Sequence, residues 1–316
     1  MTRPLLLLTV CLAATASALP PLTLLSSVDN GPAAPGWKYL RLGQQVELRI
    51  APTAKPRSVR WYRIDPLDHS LDNTRPRFHF QPLAYRQVEL EECRDRLTCP
   101  GEVALASLRD SPVPGTGTAA FTVQVTLPDG TILRTPDETS PVLGGLGPTV
   151  HRLTVRRDDG YLGHLTELFG TPYIFGSSGQ GKSHQTDLLI GSDCADLAVY
   201  GLRRLGLKIP YVSTWTLDRH AREVAVAQTS VDGTARDKAN RPLRIGRGGI
   251  VPGDLLLFPR TRHVGVLYED RPPLGVLDDG DLLLHTCWAR PTVEPLSATG
   301  CASYPIRILR PPLPGA

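Results

Sequence analysis

Between Trp37 and about Pro136 the chain alternates apolar and polar residues in short runs closed by turn residues. Val46-Glu47-Leu48-Arg49-Ile50 alternates cleanly, and Val59-Arg60-Trp61-Tyr62-Arg63-Ile64 less so. Phe121-Thr122-Val123-Gln124-Val125-Thr126-Leu127 alternates strictly, and Pro128-Asp129-Gly130 then turns the chain into Thr131-Ile132-Leu133. A period of two sends every second side chain to one face, so each run reads as a strand with one buried side. Short strands separated by turn clusters predict a β-sandwich. With 30 prolines and 29 glycines in 316 residues, loops rather than long helices make the connections. Trp61 within its strand gives the sandwich an Ig-like character, although no cysteines stand at inter-sheet spacing. Nothing in this region suggests catalysis. It reads as a spacer or as a binding module.

The pattern then changes. Residues 137–149, with Pro141 and Gly144-Gly145, read as a linker. Arg156-Arg157-Asp158-Asp159 reads as a solvated charge run. His164 to Phe169 reads as a short helix stopped by Gly170. After Asp193-Cys194-Ala195-Asp196, the spacing of Leu197, Tyr200, Gly201, Leu202 and Leu205 puts them on one side of a helix ended by Gly206. Strand-like runs follow at 254–258, 263–268 and 282–287. Helix first and strands after predict an α+β domain.

The N-terminus carries an export signal. Arg3 is a basic start, Leu5 to Leu12 an apolar stretch, and Ala16-Ser17-Ala18 a small-x-small cleavage site. Residues 1–18 are therefore expected to be removed, so that the mature chain begins near Leu19 and is secreted or periplasmic. Residues 19–36 then form an exposed entry segment, 37–136 the Ig-like domain, 150–308 a second domain and 309–316 a Pro-rich tail. No other long apolar run exists, so no membrane span is expected, and a net charge of +4 is no nucleic-acid signature. Five cysteines remain after Cys11. Export predicts bridges Cys93–Cys99 and Cys287–Cys301, with Cys194 left over as either a reactive or an inert buried thiol.

Cys194 lies at a helix start, where Ser192 or Asp193 could cap and the helix dipole favours a thiolate. His263 opens one predicted strand and His285 lies near the end of the next. Adjacent antiparallel strands can set two such residues side by side. The order therefore allows Cys194 as nucleophile, His263 as base and His285 as its orienter. Zinc held by His263, His285 and Cys287 matches no recurring spacing.

Five short motifs occur in order: Pro172-Tyr173-Ile174-Phe175-Gly176, Asp193-Cys194-Ala195, Pro252-Gly253-Asp254-Leu255-Leu256-Leu257-Phe258, His263-Val264-Gly265-Val266-Leu267 and Leu284-His285. This half of the chain resembles the NlpC/P60 cysteine peptidases, whose members carry P-Y-x-W-G-G, D-C-S-G, G-D-L-x-F-F, H-V-G-I-Y and a later histidine. The resemblance implies a papain-like fold with the Cys194 helix packed on an antiparallel sheet. It implies a hydrolase with no cofactor, cleaving the γ-D-glutamyl link to a diamino acid in peptidoglycan stem peptides. Tyr173 would help bind substrate and the oxyanion, and Asp193 would help hold the free amino end of the stem. The chain departs from the pattern at Ala195, at Asp196 and at Ser177, which stands where the family has its second glycine. Its loops from Gly176 to Asp193 and from Glu269 to Asp281 are longer and could cover the cleft. The alternatives are an amidase or acyltransferase acting on another substrate, or a non-catalytic wall-binding protein.

Overall fold

Alternation builds the first half of the molecule. A computed structural model describes residues 22–52, 54–179 and 184–314, so the export signal lies outside the described residues. One sheet runs β2-β1-β4-β8, from β1 (Leu24–Val28), β2 (Ala34–Pro35), β4 (Val46–Ile50) and β8 (Thr98–Pro100). A second runs β3-β11-β9-β5-β7, from β3 (Lys38–Arg41), β5 (Ser58–Pro66), β7 (Tyr85–Glu89), β9 (Gly117–Thr126) and β11 (His151–Arg156), with β10 (Ile132–Arg134) paired to β9. Leu24, Leu48 and Ile50 of the first sheet share one core with Trp61, Phe121, Val123 and Leu153 of the second. Trp61 is fully buried, and its indole N–H donates to the Arg96 carbonyl at 2.9 Å, so its one polar atom is satisfied. The Cys93–Cys99 disulfide lies in the same core.

Strand β11 follows the expected boundary at 149 yet pairs with β9 and, in parallel, with β3. The expected linker is tied down by Arg152, which is buried over the Trp37 ring at 4.2 Å. Its guanidinium donates to the Leu146 and Gly147 carbonyls at 2.9 and 3.1 Å. The charge run after β11 is also less solvated than expected. Arg156 pairs with Asp159 and reaches the fully buried Glu167, which also accepts from His164 and Tyr200.

The second half is mixed α+β, with few helices and mostly sheet. Helix α1 is a single turn (Gly101–Ala104), α2 spans Tyr161–Leu165 and α3 spans Cys194–Arg204. Between the last two lies β12 (Tyr173–Phe175). The remaining strands are β13 (Arg222–Thr229), β14 (Ala235–Arg236), β15 (Leu255–Phe258), β16 (His263–Glu269), β17 (Leu282–His285), β18 (Thr292–Pro295) and β19 (Ile306–Arg310). They form one antiparallel sheet in the order β14-β13-β19-β15-β16-β17-β18.

Both faces of its centre are buried, which is why β15 is apolar throughout. Leu255, Leu257, Val264, Val266 and Leu309 pack with Leu197 and Leu202 of α3. Each of those two helix leucines contributes roughly 2 kcal/mol relative to exposure. Leu256, Phe258, Leu267, Leu283 and Ile308 pack on the opposite side. The long 269–281 loop lies there too, with Leu277 in that second core and Asp281 accepting from the Arg271 and Asp278 amides. It thickens the domain away from α3 rather than covering a cleft.

The expected Cys287–Cys301 bridge is absent, and both thiols are free. Cys287 is exposed in the turn after β17. Cys301 is buried beside the Thr261 hydroxyl, 3.4 Å away, in the core on the far face.

Candidate active site

Asp193, rather than Ser192, caps α3. Its Oδ1 accepts from the amides of Ala195 and Asp196 at 3.0 and 2.9 Å, and its Oδ2 from Gly176 at 3.3 Å. These bonds skip one amide. The Cys194 N–H has no acceptor among the described residues, as expected for a first-turn donor. The Cys194 side chain is almost covered, 9% exposed. Burial pushes its thiol up, and the neighbouring Asp193 carboxylate adds to this, while a bond to the Val264 backbone acts in the opposite sense. The net shift is upward, so the resting sulfur is a neutral thiol.

Ser177 and Asp196 form one unit. Ser177 Oγ donates to Asp196 Oδ2 at 2.5 Å and also receives the Thr186 hydroxyl and the Asp193 amide. Asp196 is buried, and both burial and Asp193 raise its carboxyl well above the usual range, while the Ser177 bond acts in the opposite sense.

His263 and His285 stand at the same end of adjacent strands. His263 Nε2 lies 3.0 Å from His285 Nδ1, and His285 Nε2 lies 2.9 Å from Glu294 Oε1. A carboxylate only accepts, so His285 Nε2 carries the proton it donates to Glu294. A neutral His285 then offers a bare Nδ1, and His263 must donate from Nε2. The proton-free atom of His263 is therefore Nδ1. Both rings are neutral near pH 7. Burial, helped by His285, pulls His263 down to about 3, and burial also lowers His285 although Glu294 opposes it. Gly265 makes room for the pair, since a Cβ there would lie 3.4 Å from the His285 Cβ and 2.8 Å from Leu283.

Cys194 Sγ makes no hydrogen bond to His263 among the described residues. Its bond to the backbone of Val264, the next residue, places it at the start of β16.

No family model, curated protein or solved structure matches this chain.

Tyr173 reaches the same place by a backbone route. Ile174 N–H donates to the Ser192 carbonyl at 3.0 Å, so β12 runs beside the residues that lead into α3. Burial raises the Tyr173 hydroxyl, and the nearby Cys194 and Asp193 raise it further, so it remains a donor. Its ring packs against Trp288 at 5.0 Å, and Trp288 also packs against Phe175. Cys287 and Trp288 thus lie beside Tyr173.

Sequence reasoning missed two contributors. Glu294 lies on β18, in a Thr-Val-Glu-Pro run with no motif context; only its register, two strands from His263, reveals it. The other is the first half of the chain, read from the sequence as a spacer or a binding module. There β6 (Ser70–Asp72) pairs in parallel with β12, in register Tyr173↔Ser70. Buried Asn73 donates to Gln185 at 2.8 Å, and Gln185 to the Leu143 carbonyl at 2.7 Å. Arg290, two residues after Trp288, donates to the Pro66 carbonyl at 2.7 Å. The sandwich therefore supports both β12 and the Trp288 turn.

Proposed function

We propose that this chain is an exported cysteine hydrolase acting on an amide bond, most specifically the γ-D-glutamyl link to the diamino acid of peptidoglycan stem peptides. The observation that carries the reading is the Glu294–His285–His263 hydrogen-bond order, which leaves Nδ1 of His263 free as a base at the β-strand start where Cys194 Sγ lies.

From a neutral thiol, Cys194 gives its proton to His263 Nδ1 as the sulfur attacks the carbonyl carbon. The oxyanion meets two donors, the unpartnered Cys194 amide and the Tyr173 hydroxyl. His263 returns the proton to the leaving amine. Water then attacks the thioester, with His263 again as base. His285 and Glu294 hold the imidazole in one tautomer throughout. Asp193 is engaged by three amides; in this reading it positions Cys194 and also presents negative charge to an amino group of the stem. The substrate assignment rests on the family resemblance. The Cys93–Cys99 bridge supports export to an oxidising compartment.

A second reading, the same core transferring or hydrolysing another acyl group, is favoured by Ala195 and by the Ser177–Asp196 pair, which change the surroundings of the nucleophile. Digestion of purified peptidoglycan with mass analysis of the released fragments separates the two. Stem fragments cut at the γ-D-glutamyl bond, lost in Cys194→Ala, are expected. No fragments from wild type, together with acylation of Cys194 by a thioester-forming probe, would favour the second reading. Undiminished hydrolysis by Cys194→Ala would refute both.

A further inference from the structure

One end of the seven-stranded sheet of the second half carries a concentration of arginine. Arg222 of β13 and Arg310 of β19 are cross-strand partners, in register Arg222↔Arg310. Like charges placed directly opposite one another destabilise a sheet. Arg310 is compensated: it holds Asp254 through two bonds of 2.8 and 2.6 Å and donates to the Gly249 carbonyl at 2.8 Å. Arg222 is exposed and makes no ion pair or side-chain hydrogen bond among the described residues, and the same holds for Arg219 and Arg244.

Two cavities flank the Arg222/Arg310 pair and share it as a common wall. One, of about 750 Å³, is lined by Arg219, His220, Val251 and Pro311; the other, of about 340 Å³, by Arg244, Val224 and Ile250. Their two carboxylates are already occupied, Asp254 by Arg310 and Glu223 by Arg307 at 2.6 Å. Together the two cavities form a groove with three guanidinium groups that have no partner among the described residues, and its apolar wall is made by Val224, Ile250, Val251 and Pro311. Arginine suits planar, two-point recognition of phosphate or carboxylate. In β15, Asp254 precedes Leu255 while Phe258 pairs with His263, so the groove lies at the opposite end of the strand from the candidate active site.

We propose that this groove binds a linear polyanion, a flexible chain bearing one phosphate or carboxylate per repeat, whose neutral backbone lies on the apolar wall while successive anions meet Arg219, Arg222 and Arg244. This site stands independently of the hydrolase reading.

The test is binding of the full chain, by calorimetry across a salt series, to a short poly(glycerol phosphate), a polygalacturonate of matched length and neutral dextran. Binding of either polyanion but not dextran is expected, and the one preferred assigns phosphate or carboxylate. Arg222→Ala/Arg244→Ala should weaken that binding about tenfold or more and reduce the slope of log affinity against log salt by about one per arginine removed. Because these side chains bond to nothing, the double variant should melt no lower than wild type. Arg49→Ala/Arg57→Ala, which removes two exposed arginines of the sandwich, should bind as wild type does. Equal weakening by the two double variants would reduce the effect to net charge and overturn the site. So would unchanged binding by Arg222→Ala/Arg244→Ala, or failure of both polyanions to bind.

Discussion

Ser177 Oγ lies 2.5 Å from Asp196 Oδ2, joining two residues nineteen positions apart beneath the helix that carries Cys194. Neither residue is satisfactory alone. Without Ser177 the buried acid loses one of its donors, and without Asp196 the hydroxyl loses its acceptor. Ser177→Gly and Asp196→Gly should each destabilise the fold, by roughly 1–3 kcal/mol. The double variant should cost less than the sum, with a coupling of about 1 kcal/mol or more. Denaturant titration of the four proteins measures it; additive losses would mean that the two positions are independent.

The Glu294–His285 bond predicts a kinetic signature. Glu294→Ala should lower kcat on a stem-peptide fragment on the order of ten- to a hundredfold with little change in KM, because the substrate does not lose a contact. His285→Ala should behave likewise. Glu294→Gln keeps an acceptor for His285 Nε2–H and should recover much of the rate. A Glu294→Ala enzyme with normal kcat would remove the carboxylate from the site.

Tyr173→Phe removes a hydroxyl donor but keeps the ring that packs on Trp288. If that hydroxyl meets the oxyanion, the barrier should rise by about 2–4 kcal/mol with the melting temperature unchanged. A normal rate would return Tyr173 to a packing role.

Thiol chemistry should follow exposure. Cys287 is exposed, Cys194 is nearly covered and protonated at rest, and Cys301 is buried. Brief treatment of the native protein with iodoacetamide should label Cys287 first, and peptide mass mapping reads the order. Faster labelling of Cys194 would show that the covered site opens readily in solution.

His151 predicts acid lability. It is buried, neither ring nitrogen has a partner among the described residues, and burial, assisted by Lys38, pulls its pKa from 6.5 to about 4. As pH falls below 6.5 the unfolded chain takes up this proton while the native protein does not, so stability drops with pH until about 4. The full difference is about 3 kcal/mol. His151→Leu should flatten this limb of the stability profile without abolishing it, since His263 is depressed in the same sense. An unchanged slope between pH 6.5 and 4 would show that His151 is not buried neutral in solution.

Local pattern was enough for much of the architecture. Alternation marked β4, β5 and β9, Pro128-Asp129-Gly130 marked the turn into β10, and one-sided spacing after Asp193 marked α3, because each signal is a periodicity that the backbone geometry itself imposes. The same signals placed Cys194, His263 and His285 at the ends of their elements. Tertiary structure alone decided what these residues meet. Glu294 enters through strand register, the sandwich reaches Tyr173 through the parallel β6–β12 pairing, and Ser177 finds Asp196 across a loop. It also decided the ionisation of Cys194, where burial pushes the thiol up, and it separated Cys287 from Cys301 by placing one at the surface and the other in the core. Burial, register and long-range hydrogen bonds depend on residues far apart in the chain, whereas the order of residues conveys only near-neighbour geometry.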